Sequence, residues 1–84
     1  MVKRARTKDE NFILRLYEEA SKRADIEEPI NRYEIGTLTG LHPKAVDTIC
    51  HLLVQANFIK KQGKEDISIT PQGIKLVESI KLKL

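Results

Sequence analysis

The sequence predicts a small domain of the α+β class, mainly helical and with a single β-hairpin. Four segments repeat apolar residues at the helical spacing of three and four, and three of them begin at a residue that caps helices well. Two short runs alternate apolar and polar residues around a polar turn that contains glycine, which is typical of a hairpin. The predicted order is helix, short strand, helix, helix, strand, strand, helix, within one domain over residues 7–84.

Length and composition limit what the protein can be. The chain has 84 residues, so its core is thin and it has no room for a large cleft between domains. Its 15 Lys and Arg residues exceed 12 Asp and Glu residues, and the net charge of +3 permits an anionic partner. No apolar run approaches the roughly 18 residues of a membrane helix. A single cysteine, Cys50, excludes an intramolecular disulfide. We therefore expect a cytoplasmic protein.

The first six residues are expected to form a mobile basic arm that carries Arg4 and Arg6. Thr7 then predicts the start of a helix over residues 8–24, because Glu10 three positions later completes a capping box. Leu14 falls outside the apolar face of this helix. That face comprises Phe12, Ile13, Leu16, Tyr17, Ala20 and Ala24.

The next two elements are short. Pro29 ends any continuation of the helix, and residues 28–31 suit a brief edge strand, where a proline is tolerated. Asn31 predicts the cap of a second helix over about 32–39. That helix is expected to end at Gly40 in the left-handed conformation.

A third helix is predicted from Pro43, a residue that suits the first helical position, to about Ala56. Apolar residues occupy one of its faces: Val46, Ile49, Cys50, Leu53 and Val54. Polar residues occupy the opposite arc: Lys44, Asp47, Thr48, His51 and Gln55.

The hairpin and a last helix complete the domain. Asn57 is expected to end the third helix in the left-handed conformation, before strands over 58–61 and 67–70. Thr70 and Pro71 predict the cap and first residue of a helix over 71–84. Its apolar face comprises Ile74, Leu76, Val77, Ile80 and Leu84, with Leu82 outside it.

The tight connection between the second and third helices is what a helix-turn-helix requires. Residues 35–59, with the sequence IGTLTGLHPKAVDTICHLLVQANFI, resemble the winged helix-turn-helix domains of MarR- and ArsR-type transcriptional regulators. Residues 69–80, ITPQGIKLVESI, resemble the exit from the wing in those domains. The resemblance implies a helix-turn-helix at about 32–56, a wing at about 57–70 and a C-terminal helix at 71–84.

Four residues depart from the family pattern. His42 stands where the family usually has a serine cap, and Asn57 replaces the common glycine. Cys50 replaces a core leucine, and Asp47 places an acid on the outward face. The fold accommodates all four residues, whereas the acid at position 47 would repel a DNA phosphate and so disfavour DNA binding.

The resemblance implies sequence-preferring binding to double-stranded DNA and a role in transcription regulation. The polar face of the third helix would enter the major groove, where Asp47 would either accept from cytosine N4 or repel phosphate. Arg32 would meet a phosphate beside the second helix. The expected DNA contacts are Lys44, Asp47, Thr48, His51 and Gln55 on the third helix, Arg32 at the start of the second helix, Lys60, Lys61 and Lys64 on the hairpin, and Arg4 and Arg6 in the arm.

Other functions remain as alternatives. Every surface helix has a solvated face, and lysines on an edge hairpin also protect against aggregation. Winged helices serve as protein–protein modules too, and Asp47 and the acids of the turn favour that function. Two Tyr and two Phe offer little for stacking single-stranded nucleic acid. We expect no enzyme activity, cofactor or metal site.

The terminal helices carry more apolar residues than one small core needs. They predict a homodimer, which would also suit a protein that reads palindromic DNA. The expected interface residues are Leu14, Leu76, Ile80, Leu82 and Leu84.

Overall fold

Four helices and a three-stranded antiparallel sheet follow one another in the predicted order. A computed structural model describes residues 7–82, so the predicted arm and Leu84 lie outside the described residues. The helices are α1 (Lys8–Ser21), α2 (Arg32–Thr39), α3 (Pro43–Gln55) and α4 (Pro71–Leu82), and the strands are β1 (Ile30–Asn31), β2 (Ile59–Gln62) and β3 (Asp66–Ile69).

Helix α1 begins as predicted and ends earlier. The Thr7 side chain accepts from the Glu10 backbone N–H at 3.2 Å, and the Glu10 carboxylate accepts from the Thr7 N–H at 2.9 Å. The helix ends at Ser21 rather than at residue 24. The Lys22 and Arg23 N–H groups donate three residues back, to the Glu19 and Ala20 carbonyls at 3.2 and 3.0 Å, which tightens the last turn. A turn follows in which Asp25 accepts from the Glu27 N–H at 2.9 Å. Ala24, predicted to lie on the core face, is exposed.

Leu14 lies in the core, and the prediction that it falls outside the apolar face of its helix is wrong. It is 6% exposed, because α1 packs against α2, α3 and α4 rather than against one layer. A helix covered on several sides buries more than one apolar stripe. Leu14 is therefore not available to a dimer interface.

The connection from α2 to α3 has the predicted sharp geometry. Asn31 caps α2 by accepting from the Tyr33 N–H at 2.8 Å. Gly40 adopts the left-handed conformation with φ of 72°, and the Leu41 N–H donates to the Gly36 carbonyl at 2.8 Å. Two residues, Leu41 and His42, then suffice to reach the start of α3.

The sheet has the order β1-β3-β2. Ile67 on the central strand β3 pairs with Ile30 of β1 on one side and with Lys61 of β2 on the other. These three side chains therefore lie on the same face of the sheet as Ile59, which is the face toward the core. Strand β2 lies one residue later than the predicted 58–61, and β3 lies one residue earlier than the predicted 67–70. Strand β3 ends before Thr70, which caps α4 as predicted by accepting from the Gly73 N–H at 3.0 Å.

The core lies between the sheet and the four helices. Among the predicted dimer residues, Ile80 is 6% exposed and belongs to this core, Leu76 is half-buried against it, and Leu82 is 86% exposed. Ile80 is buried because the predicted apolar face of α4 packs on α1 and β3, so within one chain this side chain is covered. The buried apolar residues are Phe12, Ile13, Leu14, Leu16, Ala20, Ile30, Ile35, Val46, Ile49, Cys50, Leu53, Ile59, Ile67, Ile69, Val77 and Ile80.

Across residues 7–82, none of the helices has the length and apolar character that crossing a bilayer requires.

The close approach of α2 and α3 generates a prediction about Gly36. A methyl group at this position would overlap Val46 Cγ2, part of a stiff β-branched side chain in the core. Gly36→Ala is expected to lower the free energy of unfolding by about 1–3 kcal/mol through overpacking. This loss opposes the gain of about 1 kcal/mol that alanine normally brings to a helix interior.

Urea denaturation measures the change, and Thr37→Ala on the exposed side of the same helix is the control. Equal or greater stability for Gly36→Ala than for the wild type would contradict the close packing of α2 on α3.

Candidate nucleic-acid interface

The polar side of α3 is exposed along its whole length. Val46, Ile49, Cys50 and Leu53 are buried, so the opposite side of the helix faces outward. The five residues predicted for the major groove are all exposed: Lys44, Asp47, Thr48, His51 and Gln55. We call these five residues the α3 polar face.

One apolar residue borders this surface. Leu52 is 51% exposed and lies one turn after Thr48, at the edge of the α3 polar face. The Thr48 hydroxyl donates to the Lys44 carbonyl at 3.1 Å, so its proton is engaged within the helix and its oxygen can still accept.

A small cleft of about 160 Å³ separates α3 from β2. Lys61 of β2 and His51 of α3 both line this cleft, so the hairpin lies next to the α3 polar face. Lys60 belongs to the other face of the sheet, because it lies opposite Ser68 and successive residues of a strand alternate. The cleft is lined by Arg32, Asp47, Cys50, His51, Val54 and Lys61.

Arg32 corrects a predicted phosphate contact. Its side chain is only 9% exposed, and its guanidinium is engaged within the protein. Nε donates to the Glu65 carbonyl at 3.1 Å, and Nη2 donates to the Lys64 carbonyl at 3.3 Å. Nη1 lies 3.7 Å from Asp47 Oδ1. Arg32 therefore joins the β2–β3 turn to α3, and its guanidinium lacks the exposure that the predicted phosphate contact requires.

Tyr33 is a site residue that the sequence analysis missed. Its hydroxyl donates to Asp47 Oδ1 at 2.7 Å. The hydrogen bond to Asp47, followed by desolvation, raises the pKa of the Tyr33 phenol, so the donor stays protonated through neutral pH. No local pattern signals this contact, because the two residues lie on different helices.

The turn of the hairpin carries charges of both signs. Lys64 and Glu65 are both exposed, and Asp66 is half-buried. Glu65 Oε1 accepts from Asn31 Nδ2 at 3.0 Å, which directs this carboxylate toward the start of α2. Lys60, Lys61 and Lys64 are exposed as predicted.

Cys50 is buried on the core side of α3, as the periodicity predicted. Burial raises the pKa of its thiol to about 11, which keeps it as the unreactive thiol at neutral pH. Within residues 7–82, no three His, Cys, Asp or Glu side chains are grouped so as to hold a metal ion. Arg4 and Arg6 lie outside the described residues.

No family model matches the chain, and neither a curated protein nor a solved structure matches it significantly.

The engaged guanidinium of Arg32 generates a stability prediction. Arg32→Ala removes two charge-assisted hydrogen bonds and leaves the carbonyls of Lys64 and Glu65 without this donor. We expect the free energy of unfolding to fall by about 2–3 kcal/mol in urea denaturation. Arg32→Lys is expected to restore little of it, because an ammonium cannot reproduce the geometry of a guanidinium.

Arg23→Ala is the matched control for this change. Arg23 forms an ion pair with Glu28 at 3.2 Å in which both side chains are about two-fifths exposed. Surface pairs of this kind contribute about 0–1 kcal/mol. If Arg32→Ala and Arg23→Ala lose the same stability, the stabilising role of the Arg32 hydrogen bonds to the hairpin turn is contradicted.

Cys50 generates a prediction about pH. Burial raises its pKa in the folded protein to about 11, above the ordinary value of 9.0. Folding therefore disfavours the thiolate. The stability that the protonated Cys50 thiol contributes is complete below pH 9 and is lost as the pH rises toward 11. Cys50→Ala lacks the group and is expected to lose less stability over this interval, by about 1–3 kcal/mol. Parallel pH profiles of unfolding for the two proteins would refute the prediction.

Proposed function

We propose that this chain is a winged-helix protein that binds double-stranded DNA and regulates transcription. In this proposal α3 enters the major groove, and the β2–β3 hairpin is the wing beside it. The observation that carries the proposal is the exposure of the α3 polar face next to Lys61, with no described element packed over it.

The order of the elements supports this function. A helix-turn-helix needs a sharp corner and a second helix that projects from the domain, and Gly40 provides such a corner before α3. With 13 residues, α3 is about 20 Å long, and its diameter of about 10–12 Å suits a major groove about 12 Å wide.

The side chains of the α3 polar face offer several kinds of contact. Lys44 can bind a phosphate or the acceptors of guanine, whereas Thr48 and Gln55 can bond to bases or to the backbone. His51 can contact either and lies beside Lys61, which would bind a flanking phosphate. Without an arginine on this face, we expect modest sequence discrimination.

Positive charge outside the groove comes from the hairpin and the N-terminal segment. Lys61 and Lys64 are exposed around the cleft and the turn, and the acid of Glu65 is directed to Asn31. Arg4 and Arg6 precede α1 in a stretch of sequence without acids and are proposed to contact phosphates. Arg32 is not proposed as a contact.

A homodimer that reads a palindrome is part of the same proposal. Among the predicted interface residues that the structure describes, Leu82 at the end of α4 is largely exposed. Sedimentation at high micromolar concentration tests this assembly, and a monomer of 9.6 kDa would exclude it.

A protein–protein module is the second candidate. Two exposed leucines favour it: Leu38 on α2 is 47% exposed, and Leu52 on α3 is 51% exposed. Charge balance in the hairpin also suits a protein partner, because Glu65 and Asp66 offset two of its three lysines.

The salt dependence of duplex binding separates the two candidates. Neutralising about five phosphates predicts a slope of log affinity against log salt near −4 to −5. Fluorescence anisotropy with a labelled random-sequence duplex measures this slope. No binding at low salt, or a slope near zero, would contradict DNA binding and leave the protein–protein module.

Lys61 and Lys60 provide a matched pair of variants on one strand. Lys61→Ala is expected to weaken binding to all duplexes alike and to reduce the salt slope by about one. Lys60→Ala removes the same charge from the opposite face of the sheet and is expected to have the smaller effect. A larger effect of Lys60→Ala would contradict the proposed placement of the hairpin on DNA.

A further inference from the structure

Asp47 is the single acidic residue of α3 and lies on the α3 polar face. An acid at this place either repels the DNA backbone or accepts a hydrogen bond from a base. Its contacts within the protein distinguish these two roles.

The carboxylate of Asp47 is held from the side of α2. Its Oδ1 accepts from the Tyr33 hydroxyl at 2.7 Å and lies 3.7 Å from Arg32 Nη1. Arg32 is itself fixed by the carbonyls of Lys64 and Glu65. Asp47 is therefore oriented by a rigid partner rather than free to rotate.

One side of this carboxylate remains open. The Asp47 side chain is 54% exposed, and within residues 7–82 its hydrogen bond is made through Oδ1 and none through Oδ2. An ionised carboxylate only accepts, and its two oxygens have about four acceptor sites. Oδ2 can therefore accept from a donor outside the protein while Oδ1 keeps its two partners.

The charge of Asp47 is partly offset by the guanidinium of Arg32. Arg32 is 9% exposed and Asp47 is 54% exposed, so their pairing at 3.7 Å is less screened by salt than that of two fully exposed side chains. This pairing reduces the repulsion that an isolated carboxylate would exert on a nearby phosphate. Base recognition is thus the more favourable role.

We propose, on the premise that α3 binds the major groove, that Asp47 is a specificity-determining residue. Its Oδ2 accepts from the exocyclic amino group of a base, cytosine N4 or adenine N6. Guanine O6 and thymine O4 are acceptors in the groove and are disfavoured at the same place. Asp47 therefore sets the strand orientation of one base pair, because reversing the pair moves the amino group across the groove.

Selection of bound duplexes from a random pool tests this inference, followed by affinities for single base-pair changes. For the wild type we expect one position at which cytosine or adenine is preferred over the reversed pair by at least about fivefold. Asp47→Ala is expected to reduce this preference to within about twofold and to leave the other positions unchanged, since one pair contact specifies one position. The preferred base identifies the donor as cytosine or adenine.

Two further variants separate orientation from charge. Tyr33→Phe keeps the charge and removes the hydroxyl that holds Oδ1, so we expect a reduced preference at that position and an unchanged salt slope. Glu34→Ala removes an exposed acid from α2 and is expected to leave the preference intact. Thermal unfolding confirms that each variant is folded.

The outcomes separate this inference from the proposed function. Failure of the wild type to bind any duplex overturns both. Binding with no sequence preference, or with the same preference in Asp47→Ala as in the wild type, overturns the role of Asp47 alone.

Discussion

The placement of the hairpin beside α3 depends on the guanidinium of Arg32. This side chain begins on α2, donates to two carbonyls of the β2–β3 turn and lies against the carboxylate of Asp47 on α3. The backbone N–H of Arg32 donates to Glu65 as well, at 3.0 Å. Three elements that are distant in sequence therefore meet at one residue, and together with the Asn31–Glu65 hydrogen bond this contact orients the β2–β3 turn.

The contacts of Arg32 and the close packing of α2 on α3 together determine which side chains of α3 and the hairpin are exposed. Val46 sits against Gly36, which brings the two helices close and turns the α3 polar face outward. Arg32 sets the hairpin so that Lys61 reaches the cleft beside His51. The proposed DNA contact follows from these two constraints, since a groove-binding helix must be exposed and flanked by positive charge.

Local chemistry made much of the fold predictable. Thr7, Asn31 and Thr70 cap their helices as expected, and Gly40 and Asn57 both adopt positive φ where the sequence predicted chain reversals. What failed depends on tertiary contacts. Leu14 is buried because α1 is covered on several sides, and Arg32 bonds to carbonyls more than 30 residues away, neither of which leaves a periodic signal. Tyr33 was missed for the same reason.

Chemical-shift mapping by NMR tests the central claim most directly. A short duplex is titrated into the isotope-labelled protein, and perturbed backbone amides are assigned. Binding as proposed places the perturbations on the exposed residues of α3 and on residues 60–65, and spares the exposed residues of α1 and α4. Perturbations confined to α1 and α4, or none at low salt, would contradict the account.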